Sequence, residues 1–254
     1  MNIHEGLTIS SADQLFDLMK SGTEYRNCNF DNAELAGFDA EEMSLVECSL
    51  KNVDFLNLTC VGLRIVDSDL QRACFDRADI KEAQISGSNF TSATFRNAKL
   101  NLARLFKCEL SLCNLDGAGL FATDFEGSRL RGVDFSNVEL DSARVDNVDF
   151  SMATLRFKKF RKRKLVGVDF TEADLSGCDF TQTEFDGCRL HGSILSEETV
   201  LDGADLRGAY ISESQLDKVS LKGAIMTAAQ AHYLLFEKYG IVVAEDLESL
   251  KKPN

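Results

Sequence analysis

Large apolar residues recur at every fifth position over most of this chain. From Ala73 to Ala122 the sequence divides without remainder into units of five, ACFDR ADIKE AQISG SNFTS ATFRN AKLNL ARLFK CELSL CNLDG AGLFA, each opened by a small residue and centred on a large apolar one. The same register runs from Tyr25 to Leu195 as 35 units, of which 33 have a large apolar centre and 29 have Ala, Cys, Ser, Thr or Val two positions before it. A one-residue insertion near Glu197 to Val200 shifts the phase, and further centres follow at Leu201, Leu206, Ile211, Leu216, Leu221 and Met226. A period of five is neither the 3.6 of a helix nor the 2 of a flat strand, so the chain must turn every few residues while keeping two positions per unit inward.

The flanks read differently. Ser11, Ala12, Leu15, Phe16 and Met19 have helical spacing, with Ser11 and Gln14 as a capping box and Gly22 as the stop, which predicts a cap helix within residues 1–22. Repeat arrays need such caps because their open ends expose an apolar cross-section and unpaired edges. After Met226 the pattern predicts a helix over Ala228–Tyr239, ended by Gly240 and followed by a short Ile241–Val243 strand. Tyr233, Phe236 and Tyr239 carry its apolar surface further round than one rod end can cover, and a homodimer contact within 227–254 is expected there.

Motifs such as VDFSN at Val133, ADLSG at Ala173 and ADLRG at Ala204 closely resemble the A(D/N)LXX unit of the pentapeptide-repeat family. The resemblance covers about four fifths of the chain and implies an all-β solenoid over 23–226: a right-handed quadrilateral β-helix of about ten coils, four units to a coil, capped by short N-terminal and C-terminal helices. Residues twenty apart then stack in four columns, and the irregular units gather in some of them. Phe38 with Ala40, and Leu58 with Cys60, exchange the large and small inward positions, while Met43 and Leu63 enlarge the opener of the next column.

Arg156, Lys158, Lys159, Arg161, Lys162, Arg163 and Lys164, with Phe157 among them, form a basic run (RFKKFRKRK) that places Lys158 and Arg163 at small inward positions. An unpaired buried charge costs several kcal/mol, so the run is expected to leave the wall as a bulge or outward loop near 156–164, with both side chains outside. Such a loop is a candidate partner-binding element. Outward apolar residues fall along the same columns, Leu102, Phe106 and Phe121 foremost, with Val46, Val61 and Val66, and extend the candidate surface.

Charge and composition narrow the role. The formal charge is −13, which opposes binding to a phosphate backbone and favours a basic partner, and it is −20 outside the basic run. Neither a signal peptide nor an apolar run of membrane-spanning length is evident, so a cytoplasmic location is expected. Six of the eight cysteines occupy small inward positions and none has metal-ligand spacing, while His4, His191 and His232 fall far apart on the repeat map. No catalytic, metal-binding or cofactor-binding residues are predicted, and a non-enzymatic protein is expected.

The acidic rod, the interrupting basic run and a C-terminal segment containing Gln230, Ala231, Leu234, Leu235, Glu237, Gly240, Ile241 and Val243 are similar to those of the Qnr and related topoisomerase-protecting members of the family. That resemblance implies a dimeric, DNA-mimicking rod that engages DNA gyrase or topoisomerase IV and protects it from quinolones or other gyrase inhibitors. The other expectation is a rigid interaction scaffold or bacterial effector that binds a protein through the apolar corner and the basic run.

Overall fold

The computed structural model describes residues 2–11, 13–14, 22–40 and 42–243. Its strands are β1 (Asn2–Glu5), β2 (Thr23–Arg26), β3 (Ser44–Val46), β4 (Arg64–Val66), β5 (Gln84–Ser86), β6 (Arg104–Phe106), β7 (Lys164–Val166), β8 (Glu184–Arg189) and β9 (Asp205–Tyr210), followed by a 3-10 turn (Leu216–Lys218) and helix α1 (Ala228–Tyr239). All pairing is parallel. Partners from β3 to β6 lie one coil apart in sequence, as in Ser44↔Arg64↔Gln84↔Arg104. The other three columns are tied by single bridges at the same offset, such as Asn29↔Ser49, Glu34↔Asp54 and Asp39↔Thr59. The result is a four-sided β-solenoid of about ten coils. Its first face is built on Tyr25, Leu45 and Ile65, its second on Phe30, Leu50 and Leu70, its third on Leu35, Phe55 and Phe75, and its fourth on Ala40, Cys60 and Ile80.

Each part of the five-residue unit has a physical task. The centre and the small residue before it are buried over most of the rod, as at Ala33 and Leu35 or Ala173 and Leu175, while Ala40 is only partly buried. The small residue lets the chain turn inward, and its N–H donates to the preceding centre's carbonyl, as Ala73 does to Leu70 at 3.0 Å. The position two after the centre takes the left-handed conformation, which Asn and Gly enter cheaply, as at Asn52 (φ 55°) and Gly117 (φ 68°). Stacked centres meet along the axis; Phe55, Phe75 and Phe95 have ring centroids 5.0 and 5.1 Å apart. Burial of each such ring contributes about 1.5–3 kcal/mol. The exchanged pairs remain inside the same interior, with Phe38, Leu58, Cys60, Met43 and Leu63 all buried.

The N-terminal boundary differs from the expected one. The solenoid begins at Asn2 rather than after a cap helix spanning 1–22: β1 pairs with β2 through His4↔Tyr25, and bridges continue at Thr8↔Asn29 and Ser11↔Glu34. Ile9 is buried, and the His4 ring stacks on Tyr25 at 5.5 Å. This coil is hard to see in sequence because its first centre is a histidine and Leu7 replaces the small opener. Gln14 donates its backbone N–H to Ser11 Oγ at 3.4 Å, while its side chain accepts from Ser10 N rather than from Ser11. Ala12, Leu15, Phe16 and Met19 lie outside the described residues.

At the other end the inserted residue lengthens one coil, so that Asp179 pairs with Val200 and Glu184 with Asp205. A full capping box between Thr227 and Gln230 starts α1, and Gly240 (φ 64°) ends it. Gln230 Nε2 donates to the carbonyls of Leu206 (2.7 Å) and Ala209 (2.8 Å), which closes the last coil. Residues 241–243 form no strand, having no neighbouring edge to pair with among the described residues.

The cysteines test this interior directly. Seven are buried and only Cys74 is partly accessible. Burial pushes the Cys48, Cys108 and Cys188 thiols up to about 11 and Cys178 to about 12, so little thiolate forms near neutrality. In native protein at pH 8, N-ethylmaleimide should label one thiol quickly, at Cys74, and the others only on unfolding. Rapid labelling of several cysteines by mass spectrometry would contradict the packed interior.

Candidate functional site

The basic run does not leave the wall. Residues 156–164 keep the repeat register and bond regularly to the following coil: Phe157 N donates to Ser176 O (2.9 Å), Phe160 N to Asp179 O (2.8 Å) and Lys162 N to Thr181 O (2.9 Å). The bulge or loop expected there is therefore absent, and the expectation that Lys158 and Arg163 lie outside is also corrected. Lys158 is only 6% exposed, with its stem in the small inward position and Nζ donating to Ser136 O at 3.3 Å. Arg163, half-buried, donates to Ala143 O (2.6 Å) and Leu140 O (3.4 Å) and has its guanidinium carbon 5.6 Å from the centroid of the Phe160 ring. Burial lowers the Arg163 guanidinium from its usual value, while carbonyl oxygens accept from two of its nitrogens. Snorkelling of the stems removes the cost that would have expelled them.

The disturbance appears one coil earlier. On the fourth face no bridge joins Gly119 to Glu139 or Glu139 to Lys159 among the described residues, although the bridges before and after, Lys99↔Gly119 and Lys159↔Asp179, are intact. Bridges are also missing from Asn114 to Asp134 on the third face and from Arg144 to Lys164 on the first. The second face is continuous through Glu109↔Arg129↔Asp149↔Asp169. The stretch 137–142 is thus detached from both neighbouring coils, and side chains substitute for the ladder. Asn137 reaches Asp116 Oδ1 (2.8 Å), Ala122 N donates to Ser142 Oγ (3.1 Å), and Lys158 and Arg163 hold carbonyls of Ser136, Leu140 and Ala143. Two long basic stems in a space sized for Ala or Val are the physical cause.

An open cleft of about 560 Å³ lies along this break, lined by Ser136, Glu139, Asp141, Arg156, Lys158 and Lys159, with Phe157 at its edge. Arg156, Arg161 and Lys164 pair with carboxylates of the following coil, Asp174 (3.7 Å), Asp179 (3.3 Å) and Glu184 with Asp186 (2.9 and 3.0 Å). The hydrogen bonds that Lys164 donates to Glu184 and Asp186 raise its ammonium above its ordinary value. Lys159 and Lys162, both exposed, form no ion pair among the described residues.

The apolar candidates are divided by the fold. Leu102 (54% exposed) and Phe121 (65%) stand at the corner between the fourth and first faces, the corner that also carries Arg161 and Lys162. Phe106 lies one corner further round, half-buried, between Arg104 and Lys107 at 5.1 and 4.9 Å from its ring centroid. Arg156 and Phe157 occupy the corner between the third and fourth faces. Leu102 and Phe157 hold left-handed backbone at φ 63° and 60°, a conformation costing a bulky residue about 1–2 kcal/mol. Exposed as they are, neither returns that cost through the core. The sequence reading missed Leu112 and Met152, exposed large residues at the same strained turn position between the second and third faces. That position was their signal.

At the C-terminus Phe236 and Tyr239 are exposed beside Ile241 and Val242. Tyr233 instead packs on its own chain and its hydroxyl accepts from Glu213 N at 2.8 Å. Among the described residues no three His, Cys, Asp or Glu side chains gather as a metal site, and no helix is long and apolar enough to cross a membrane.

If the two basic stems hold the ladder open, Lys158→Ala with Arg163→Ala should let residues 137–142 re-pair. Relieving the overpacked interior and restoring the ladder then raises stability by about 1–3 kcal/mol, or several degrees in Tm. A lower Tm in thermal unfolding would show that the two side chains hold the coils together instead.

The sequence matches the family described as Pentapeptide repeats, in eight copies over residues 73–111, 83–120, 113–151, 164–197 and 197–227. The matched spans omit 152–163, where Lys158 occupies a small-residue position. No curated protein matches the chain. Similar solved structures include HetL, a pentapeptide repeat protein involved in heterocyst differentiation regulation from the cyanobacterium Nostoc sp. strain PCC 7120, at 23% identity and TM-score 0.38, covering 84% of this chain and 94% of that one. Full-length QnrB1, a plasmid-mediated fluoroquinolone resistance protein, is 18% identical with TM-score 0.40, over 94% of this chain and all (100%) of that one. The five-residue unit, the four-faced solenoid it builds and the match over more than half of the sequence place this chain in the pentapeptide-repeat family.

Proposed function

We propose that this chain is a non-enzymatic rod that acts by binding another protein, through the basic coil 156–164 and the apolar corner at Leu102 and Phe121. The carrying observation is a patch of unneutralised positive charge, at Lys159 and Lys162, on a frame whose formal charge is −13. At about 4.8 Å per coil, Phe121 stands roughly 10 Å from Arg161 and Leu102 roughly 14 Å from Lys162 along one corner. Apolar anchors beside unpaired charge are the ingredients of a protein contact. The exposed Phe236, Tyr239, Ile241 and Val242 support self-association of the rod at its C-terminal end.

The acidity of the remaining surface, −20 outside the basic run, favours a second reading in which the rod mimics duplex DNA and binds DNA gyrase or topoisomerase IV. One experiment separates the readings. A photo-crosslinking amino acid placed at Leu102, Phe121 or Lys162 in expressing cells should give a discrete protein adduct, absent when it replaces Asp69 on the second face. A gyrase subunit in that adduct, with protection of supercoiling from ciprofloxacin that fades at high salt, supports the second reading. A different adduct without protection supports the first alone. No adduct at any of the three corner positions would overturn both.

A further inference from the structure

The exposed cations Arg156, Lys159, Arg161, Lys162 and Lys164 all lie on one coil, crossing the fourth face and both of its corners. The preceding coil sets Glu139 and Asp141 against them, and the following coil sets Asp174, Asp179 and Glu184. Coils repeat at about 4.8 Å, so the positive line is one strand wide and bounded by a negative line on either side. This width selects the ligand. Even the minor groove of B-DNA is about 6 Å across, so one phosphate row on the cations would press the other against an acidic line. A single extended chain carries one row of charge, which the positive line alone matches.

The main chain fits the same shape. On an intact face, the residue before a centre directs both its N–H and its C=O to the preceding coil, as Asp79 N donates to Leu58 O (2.7 Å) and Asp79 O accepts from Cys60 N (2.9 Å). Lys159 occupies that position beside the cleft, and among the described residues neither its N–H nor its C=O has a backbone partner, nor do the facing Val138 C=O and Leu140 N–H. An open parallel edge of this kind is what an added strand pairs with.

We propose that the 156–164 coil binds an extended acidic peptide segment of a protein partner, its carboxylates on Lys159 and Lys162 and its main chain along the open edge at Lys159. This assignment rests on the protein-binding reading above and gives the partner its chemistry.

The test is fluorescence anisotropy of labelled hexaglutamate with the full chain, alongside hexalysine and a short DNA duplex. Saturable binding of hexaglutamate alone is expected, weakening as salt rises and falling tenfold or more in the Lys159→Ala, Lys162→Ala double variant. Both side chains are exposed and outside the ion pairs, so circular dichroism should show an unchanged fold. The Lys81→Ala variant, on the same face but remote from the break, should bind as the wild type does. Absent peptide binding, equal binding by the double variant, or preference for the duplex would overturn the proposal. If the peptide fails while crosslinked adducts form at Leu102 and Phe121, the acidic-peptide assignment falls and the protein-binding reading stands; loss of both removes both.

Discussion

The whole molecule depends on the interior volume available to one coil. Four large centres and four small openers must fill a cross-section with no cavity, at a coil spacing fixed by parallel backbone hydrogen bonds. Because the hydrogen bonds and the side chains share that spacing, an oversized interior side chain leaves little room. Met43 and Leu63 still fit within an intact ladder and Phe38 is exchanged against Ala40, whereas the longer Lys158 and Arg163 stems coincide with a parted ladder. The interior therefore determines where the exterior becomes irregular.

This coupling explains why the candidate surface lies mid-rod. A rigid solenoid presents regular faces that offer little to discriminate one partner from another. Here two basic stems satisfy themselves on carbonyls of the preceding coil and leave its 137–142 stretch without backbone bonds to either neighbouring coil, while the second face holds the coils together. The 156–164 coil carries cations outside the ion pairs at Lys159 and Lys162 together with the strained, exposed Phe157, and Leu102, also strained and exposed, stands three coils earlier along the corner of Lys162. Irregular backbone, uncompensated charge and apolar side chains held at a conformational cost coincide in one region.

The five-residue period made the fold legible, because it fixes both inward positions and the turn. The first coil was hidden, since His4 and Leu7 do not follow the small-then-large order, and pairing with β2 reveals it. Likewise Arg156 to Lys164 was visible as a disturbance, but its resolution was not. A lysine at a small inward position reads as a buried charge, and only the fold shows Ser136 O within reach of its Nζ. The displaced stretch, 137–142, has an ordinary repeat sequence of its own; the cause sits one coil away, beyond the reach of local pattern. Tyr233 teaches a similar lesson, for its place on the helix suggested an outer face whereas its hydroxyl reaches Glu213 N.

The central claim is that interior side chains of one coil unpair the wall of the coil before it. Backbone hydrogen exchange resolved to single amides tests this most directly. The amides of Glu139, Leu140 and Lys159 should exchange orders of magnitude faster than those of Thr59, Asp79 and Lys99, which occupy intact positions of the same face, and Arg129 and Asp149 on the second face should stay protected. Uniform slow exchange along the fourth face would contradict the account.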